Sequence, residues 1–486
     1  MLDKAREIGR VFFVRISNTY EREPEMCKIR SFLRNIQNSK TRYKRIEMRK
    51  HLNADTLFSS VRTEFDKITD HRPGNVKISL TDALMSCFAL FSLKDSSLLA
   101  FDERRQYGVH NLHTIYGIGY IPCDSSMREI LDEVKIKDLR PLYKDVFTQL
   151  QRGKALEKFT YMDGCYLLSL DGTGYFSSPV LHSPSCMEKV SKKTGKVSSY
   201  YIQMLGASIV HPNRKEVIPL CPEPIKKQDG ETKNDCERNA AKRFLADLRR
   251  EHPHLPLIVI EDGLSSNAPH IKDLNENNLH YILGAKEGDH RFLFDYVNES
   301  VVHGKTTDLI VPDEKNPAID HCFSFINNTP LNKSNQDVLV NFIEYWQVNI
   351  ATGKTMHFSW VTDFTITEDN MFKIMRGGRA RWKIENETFN TLKNQGYNLG
   401  HNYGLGKKNL SMVFVMVMML AFLVDQALQI CCALFAVVWK KAGSKKSLWE
   451  DVRSLFKYFR IDSMETLYRA LYNGGFEQEL PHFLNE

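Results

Sequence analysis

Leu167-Leu168-Ser169-Leu170-Asp171-Gly172 and Leu257-Ile258-Val259-Ile260-Glu261-Asp262-Gly263 are two apolar runs that each end on an aspartate followed by glycine. Runs of this length predict buried strands, and an acid just past a strand end sits where open α/β sheets gather their ligands. The glycine allows backbone or ligand to approach closely. Far downstream stands Arg381-Trp382-Lys383-Ile384-Glu385. Asp171, Asp262 and Glu385, brought together at sheet ends, would suit magnesium, with manganese as a substitute, because such ions take hard oxygen ligands. Taken singly, each has a plain explanation: Asp-Gly is turn composition, and Arg381 with Glu385 is a helical i,i+4 ion pair. The three in this order point to a metal-dependent site.

The spacing around Glu385 predicts a helix over Arg379 to Asn394. On it Arg381, Glu385, Phe389 and Leu392 share a face with Ile384 and Thr388, while Lys383, Glu387, Asn390 and Asn394 face solvent. A carboxylate beside an apolar stripe needs a cation or a metal, so Glu385, not Glu387, is the third acid.

These segments resemble the DDE transposases of bacterial insertion sequences. The resemblance is carried by Leu170-Asp171-Gly172-Thr173, by Glu261-Asp262-Gly263-Leu264-Ser265-Ser266 and by Arg379-Ala380-Arg381-Trp382-Lys383-Ile384-Glu385-Asn386, within roughly residues 105 to 430. It implies an RNase H-like mixed sheet flanked by helices, with a β-rich insertion before the catalytic glutamate. It also implies catalytic, metal-holding Asp171, Asp262 and Glu385, with two magnesium ions. The activity implied is cleavage and strand transfer at the ends of an insertion sequence, of the cut-and-paste type. The partners implied are double-stranded DNA, as terminal inverted repeats and target, and a second copy of the chain in the DNA complex. The family's helix pattern is Tyr, two residues, Arg, three residues, Glu, six residues, Lys. Arg381 and Glu385 match it, the tyrosine position holds Gly378, and the lysine position holds Leu392 with Lys393 one residue on. Arg381 and Lys393 are thus expected at DNA phosphate. Trp382 either stacks on a displaced base or packs in the core.

Charge is unevenly placed in this chain of 486 residues and net charge +7: Met1 to Ser60 holds fourteen Lys and Arg against seven Asp and Glu. Between Met26 and Lys50 stand nine bases and one acid, Glu47, interleaved with Phe32, Leu33, Ile36 and Tyr43. Such a face suits DNA phosphate, so Arg42, Lys44, Arg45, Arg49 and Lys50 are candidate DNA contacts, with a solvated helix face as the plain alternative. The ten cysteines contain no C-x-x-C pair, which excludes the usual zinc ribbons and fingers. Reduced thiols and the absence of a convincing signal peptide suggest a cytoplasmic bacterial protein, nucleoid-associated when acting. Ser411 to Val424 is nearly all apolar, but Asp425 would sit mid-membrane if it and the run to Val438 were one span, so a buried helix or helix pair is expected and no membrane.

The expected organisation is a helical, basic end-binding and scaffold region over 1–150, a first part of the core over 151–289, and a β-rich insertion over 290–350. The rest of the core with the signature helix follows over 351–408, then a helical C-terminal region over 409–486. Ser79 should open a helix through Phe91, and Asp124-Ser125-Ser126 should cap another. Tyr200 to Val210 with Glu216 to Leu220 reads as a hairpin, Asn234 to Glu251 as a helix, and Tyr281 to Ala285 and His357 to Val361 as core strands. Phe292-Leu293-Phe294 joins Asp308 to Val311, Cys322 to Ile326 and Val338 to Val348 as β-type runs. Lys440, Lys441, Lys445 and Lys446 form a second basic cluster. A repurposed DNA-binding protein on the same scaffold and a stand-alone RNase H-like nuclease are the rival functions.

Overall fold

A computed structural model describes residues 50–227 and 234–476. Its first part is helical: α1 (Ala54–Phe65), α2 (Leu80–Ser92), α3 (Leu98–Tyr107), α4 (Val109–Tyr116), α5 (Asp124–Asp132) and α6 (Arg140–Arg152). Ser79 opens α2 as expected, its Oγ accepting the Asp82 amide at 3.0 Å. The expected cap of α5 is not formed. Asp124 is the first residue inside that helix, Cys123 precedes it without a capping bond, and Asp124 instead pairs with Arg128 one turn on, at 2.7 Å. An acid in the first turn still suits the helix dipole.

The chain then lays down β1 (Tyr166–Ser178), β2 (Met187–Val190), β3 (Val197–Val210), β4 (Ile218–Pro219) and β5 (Glu223–Ile225). It continues through α7 (Glu237–Glu251), β6 (Leu257–Glu261), α8 (Ala268–Glu276), β7 (His280–Gly284), α9 (Arg291–Val302), β8 (Thr307–Pro312), β9 (Ile319–Asn332), β10 (Asn335–Asn349) and β11 (Thr355–Thr362). All strands join one mixed sheet in the order β2-β3-β1-β6-β7-β11-β10-β9-β8, with β4 and β5 also on β3. The two apolar runs that end in aspartate lie side by side and parallel, Leu168 opposite Val259, and β7 continues the parallel set with Tyr281 opposite Val259. Parallel neighbours need crossovers, and α7 and α8 supply them. Every residue of β6 is buried, as its unbroken apolar pattern requires of a strand covered on both faces. β3 runs antiparallel to β1 with Gly206 opposite Asp171.

The stretch from 307 to 349 is β-rich and extends this same sheet through β11. Phe292-Leu293-Phe294 departs from expectation, since it belongs to α9. There Leu293, Phe294, Val297 and Ser300 are buried at helical spacing while Tyr296, Val301 and Val302 are exposed, a pattern that three apolar residues alone cannot distinguish from a strand.

The predicted continuous helix over 379–394 is also corrected. α10 (Met371–Arg379) stops in a turn at Ala380 and Arg381, after which the chain winds a π turn over Ile384–Phe389 and a last α turn, α11 (Asn390–Asn394). A π turn takes in an extra residue, so the buried face runs Ile384, Thr388, Phe389, Thr391, Leu392. Glu385 lies outside that face and is exposed. The chain closes with α12 (Leu410–Cys431), α13 (Ala433–Ala442), α14 (Lys445–Tyr458) and α15 (Met464–Asn473). Among the described residues α12 alone is long and apolar enough to cross a membrane, and it is buried throughout inside the protein. It packs on α2, α5 and α6 and touches β4, so helices from both ends of the chain form one body beside the sheet.

Candidate active site

Asp171 does not stand past a strand end as expected: β1 runs on to Ser178, and the aspartate lies within it with its side chain 28% exposed. One carboxylate oxygen accepts the Gly172 amide at 2.9 Å and the other accepts Arg381 Nη1 at 3.2 Å. Asp262 is the first residue after β6, where its Oδ1 accepts the Leu264 amide at 3.0 Å and its carbonyl accepts the Ser265 amide at 3.1 Å. It does make a turn, as the plain explanation held, and still presents a second carboxylate oxygen. Gly284 of β7 allows that turn to settle on the sheet, because a Cβ there would lie 3.1 Å from the Gly263 nitrogen.

Three contacts hold the Glu385 segment over β1 and β3. Ser169 Oγ donates to the Arg381 carbonyl at 3.1 Å, and the Ser208 and Thr388 hydroxyls meet at 3.1 Å. The Phe389 ring fills the space above Gly206, where a Cβ would come within 2.6 Å of it. Gly206 is the partner of Asp171 in the β1–β3 ladder, so the glutamate segment is fixed to the residue facing the first aspartate. The electrostatics agree. Burial pushes the Asp171 carboxyl above the ordinary range and the charges of Asp262 and Glu385 push the same way, against Arg381 and the Gly172 N–H.

Two cavities share Glu261 and Asp262 as a wall. The first, of about 510 Å³, is lined by Asp171, Tyr201, Gln203, Glu237 and His270 among others, and the second, of about 460 Å³, by Trp360, Arg379, Arg381 and Trp382 among others. Glu237, the opening residue of α7, is a site member that the sequence did not disclose. Its carboxylate lies against Gly172, where a Cβ would stand 2.1 Å from its Oε1. Burial and the charges of Asp171, Asp262 and Glu261 raise its pKa. The only sequence signal was an acid at a helix start, which the helix dipole already explains.

The departures in the signature segment have steric causes. At Gly378 a Cβ would lie 2.3 Å from Trp360 Nε1, so the indole occupies the space a tyrosine would need. Leu392 is fully buried and Lys393 beside it is exposed. Trp382 is 47% exposed, with the Arg381 guanidinium 4.7 Å above its ring, which removes core packing as its role. Arg381 pairs with Asp171, and no Arg381–Glu385 ion pair is found among the described residues. Glu387 turns away, lining a separate cavity with Arg214 and Lys445. Asn267, His270 and His401 are structural: Asn267 caps α8 by accepting the His270 amide at 3.2 Å, His270 Nε2 stands 2.5 Å from Glu261, and His401 lies edge-on to Tyr403. Of the N-terminal candidates, Arg42, Lys44, Arg45 and Arg49 lie outside the described residues, and Lys50 is exposed in a turn. The nine described cysteines are all free.

Asp171, Asp262 and Glu385 offer the hard oxygen donors that magnesium or manganese takes, and the charges of the other two acids on Asp171 would be relieved by a cation. No group of three or more His, Cys, Asp or Glu among the described residues is already arranged to hold an ion, and the guanidinium of Arg381 supplies positive charge at Asp171. No family model matches this sequence, and no curated protein does.

Proposed function

We propose that this chain is a DNA transposase of the DDE type that cleaves and transfers strands at the ends of an insertion sequence. What carries this reading is that Ser169, Ser208 and Gly206 hold the segment bearing Glu385 over β1 and β3, beside Asp171 and next to the parallel strand that leads to Asp262. Both of the other acids act on the Asp171 carboxyl. The arrangement of β3 antiparallel on β1, followed by parallel β6 and β7, supports an RNase H-like core, since that core needs its acids on adjacent parallel strands and on a helix laid across them.

Asp171, Asp262 and Glu385 would hold magnesium, which when bound stabilises charge on the reacting phosphate and makes a water or a DNA 3′-hydroxyl a better nucleophile. The protein's own groups do the positioning. Arg381 sits between Asp171 and the Trp382 ring, where its guanidinium would meet a DNA phosphate brought to the acids. Trp382 presents an open face beside Asp262 on which an unstacked base can rest. The substrates are duplex terminal repeats and target DNA, and two copies of the chain act on a pair of ends.

The test is cleavage of a duplex carrying the repeats that flank the gene. Asp171→Asn and Asp262→Asn are expected to abolish Mg²⁺-dependent nicking and to retain a gel shift on the same duplex. Full nicking by either variant would overturn the site. Binding without nicking by the unmodified protein would instead favour a repurposed DNA-binding protein.

A further inference from the structure

The outer face of α10 carries Lys373 and Arg376, and Lys383 follows just past its end, with no acid in the sequence from Met371 to Ile384. Arg376 follows Lys373 by three residues on the same side of α10, and Lys383, beyond the turn at Ala380 and Arg381, lines one cavity with Arg376 and Pro212. The turn between β3 and β4 brings Arg214 and Lys215 to the same face, tied to it by Arg376, which donates to Asn213 Oδ1 at 2.5 Å. The crowding is felt by His211, whose pKa is lowered by burial and by Arg214, Arg376 and Lys383 together.

Elsewhere on this protein surface cations commonly find carboxylates, as Arg105 with Asp102, Arg128 with Asp124, Arg250 with Asp247 and Lys408 with Glu133 do. Here Asp313 is engaged with His321 at 3.0 Å and Glu216 with Arg214 at 3.5 Å, while Glu387, which lines a cavity with Arg214 and Lys215, makes no ion pair among the described residues. Lys215, Lys373, Arg376, Arg379 and Lys383 have no carboxylate within ion-pair distance among the described residues. Like charges three residues apart on a helix repel, a cost that the helix dipole offsets in the last turn and that a bound polyanion would relieve further. The nine residues of α10 cover roughly 13 Å, a length over which duplex DNA offers about eight phosphates.

We propose that the outer face of α10 and the β3–β4 turn form a landing track for the backbone of duplex DNA, read without regard to sequence and separate from the carboxylate cleft. This rests on DNA being the substrate. Its role is to carry the duplex past the cleft, whose own cation, Arg381, faces Asp171.

The test uses the full chain in EDTA, so that strand cleavage plays no part and failure of the catalytic proposal leaves the measurement intact. Binding of a random-sequence duplex lacking terminal repeats is followed by fluorescence anisotropy across a salt series. The variant Lys215→Gln/Lys373→Gln/Arg376→Gln/Lys383→Gln is compared with Lys154→Gln/Lys305→Gln/Lys333→Gln/Lys446→Gln, which removes exposed lysines elsewhere. The first is expected to flatten the slope of log affinity against log salt by about one unit for each phosphate left unneutralised, roughly three to four in all. The second should leave the slope as it is. An unchanged slope in the first variant, an equal change in both, or weakened binding confined to duplex RNA of the same length would overturn the proposal. Retained folding is checked by an unchanged thermal midpoint.

Discussion

Gly378 and Trp360 show how a single side chain sets the chemistry available to its neighbour. A Cβ at 378 would lie 2.3 Å from the indole Nε1, so an aromatic wall fills the space that any side chain at this position would need. Gly378→Tyr is therefore expected to destabilise the fold by about 1–3 kcal/mol through overpacking, read as a lower urea midpoint, and Trp360→Ala in the same chain should return part of it. A neutral Gly378→Tyr would mean that the indole moves freely. The two glutamates are separated at the same scale. Glu385 bears on the Asp171 carboxyl while Glu387 lines a cavity with Lys445, so if the chain cleaves DNA as proposed, Glu385→Gln should eliminate single-turnover cleavage and Glu387→Gln should retain most of it. The opposite pattern would overturn the phase of this segment. Asp262 stands just past β6 as the local pattern of a strand followed by an acid predicts, whereas Asp171 lies inside β1, which runs on to Ser178 because β3 pairs with it past the aspartate. Glu237 was not legible, because only the packing of α7 on β1 brings it to Gly172.

At the scale of the element, tertiary packing overrides local pattern. Hydrophobic spacing over 379–394 fits an α-helix, and the π turn answers demands that spacing cannot express: Thr388 must meet Ser208 and Phe389 must cover Gly206. π turns recur at functional sites, and this one turns Glu385 outward from the buried face. The unit of β6, its turn and α8 is held by a buried pair, Glu261 with His270 at 2.5 Å. Glu261 raises the His270 pKa above its ordinary 6.5 against the opposing effect of burial. A raised histidine contributes stability that is fully present below the unfolded pKa and is lost as pH rises through the folded one. His270→Gln should thus cost most stability at about pH 5.5 and progressively less as the pH is taken above the raised value. Urea unfolding of both proteins at several pH values checks this, and a difference that does not change with pH would show that the pair contributes by packing alone.

Across the whole molecule the N-terminal and C-terminal helices are joined by a buried charge cluster that neither half reveals by itself. Asp425 interrupts an apolar run and so argued against a membrane span, but its partner is 331 residues away. Lys94 Nζ stands 2.6 Å from its carboxylate, with the two side chains 0% and 6% exposed. The Tyr397 hydroxyl donates to the same carboxylate, and the Lys94 ammonium lies 4.0 Å from the Tyr397 ring and 4.2 Å from the Trp449 ring. Lys94 also donates to the Phe91 and Ser92 carbonyls at 3.0 and 3.1 Å, which binds the end of α2 to α12. Such a pair need not stabilise relative to an apolar substitute, yet removing one partner strands a charge without water. Lys94→Met is therefore expected to cost about 3–5 kcal/mol, and Lys94→Met/Asp425→Leu considerably less than that single change. If the double variant unfolds as easily as Lys94→Met, the cluster's value lies in the carbonyl and aromatic contacts of the lysine. If Lys94→Met is itself neutral, the helical body is held by the apolar surface of α12 alone, and the charges in it stabilise nothing.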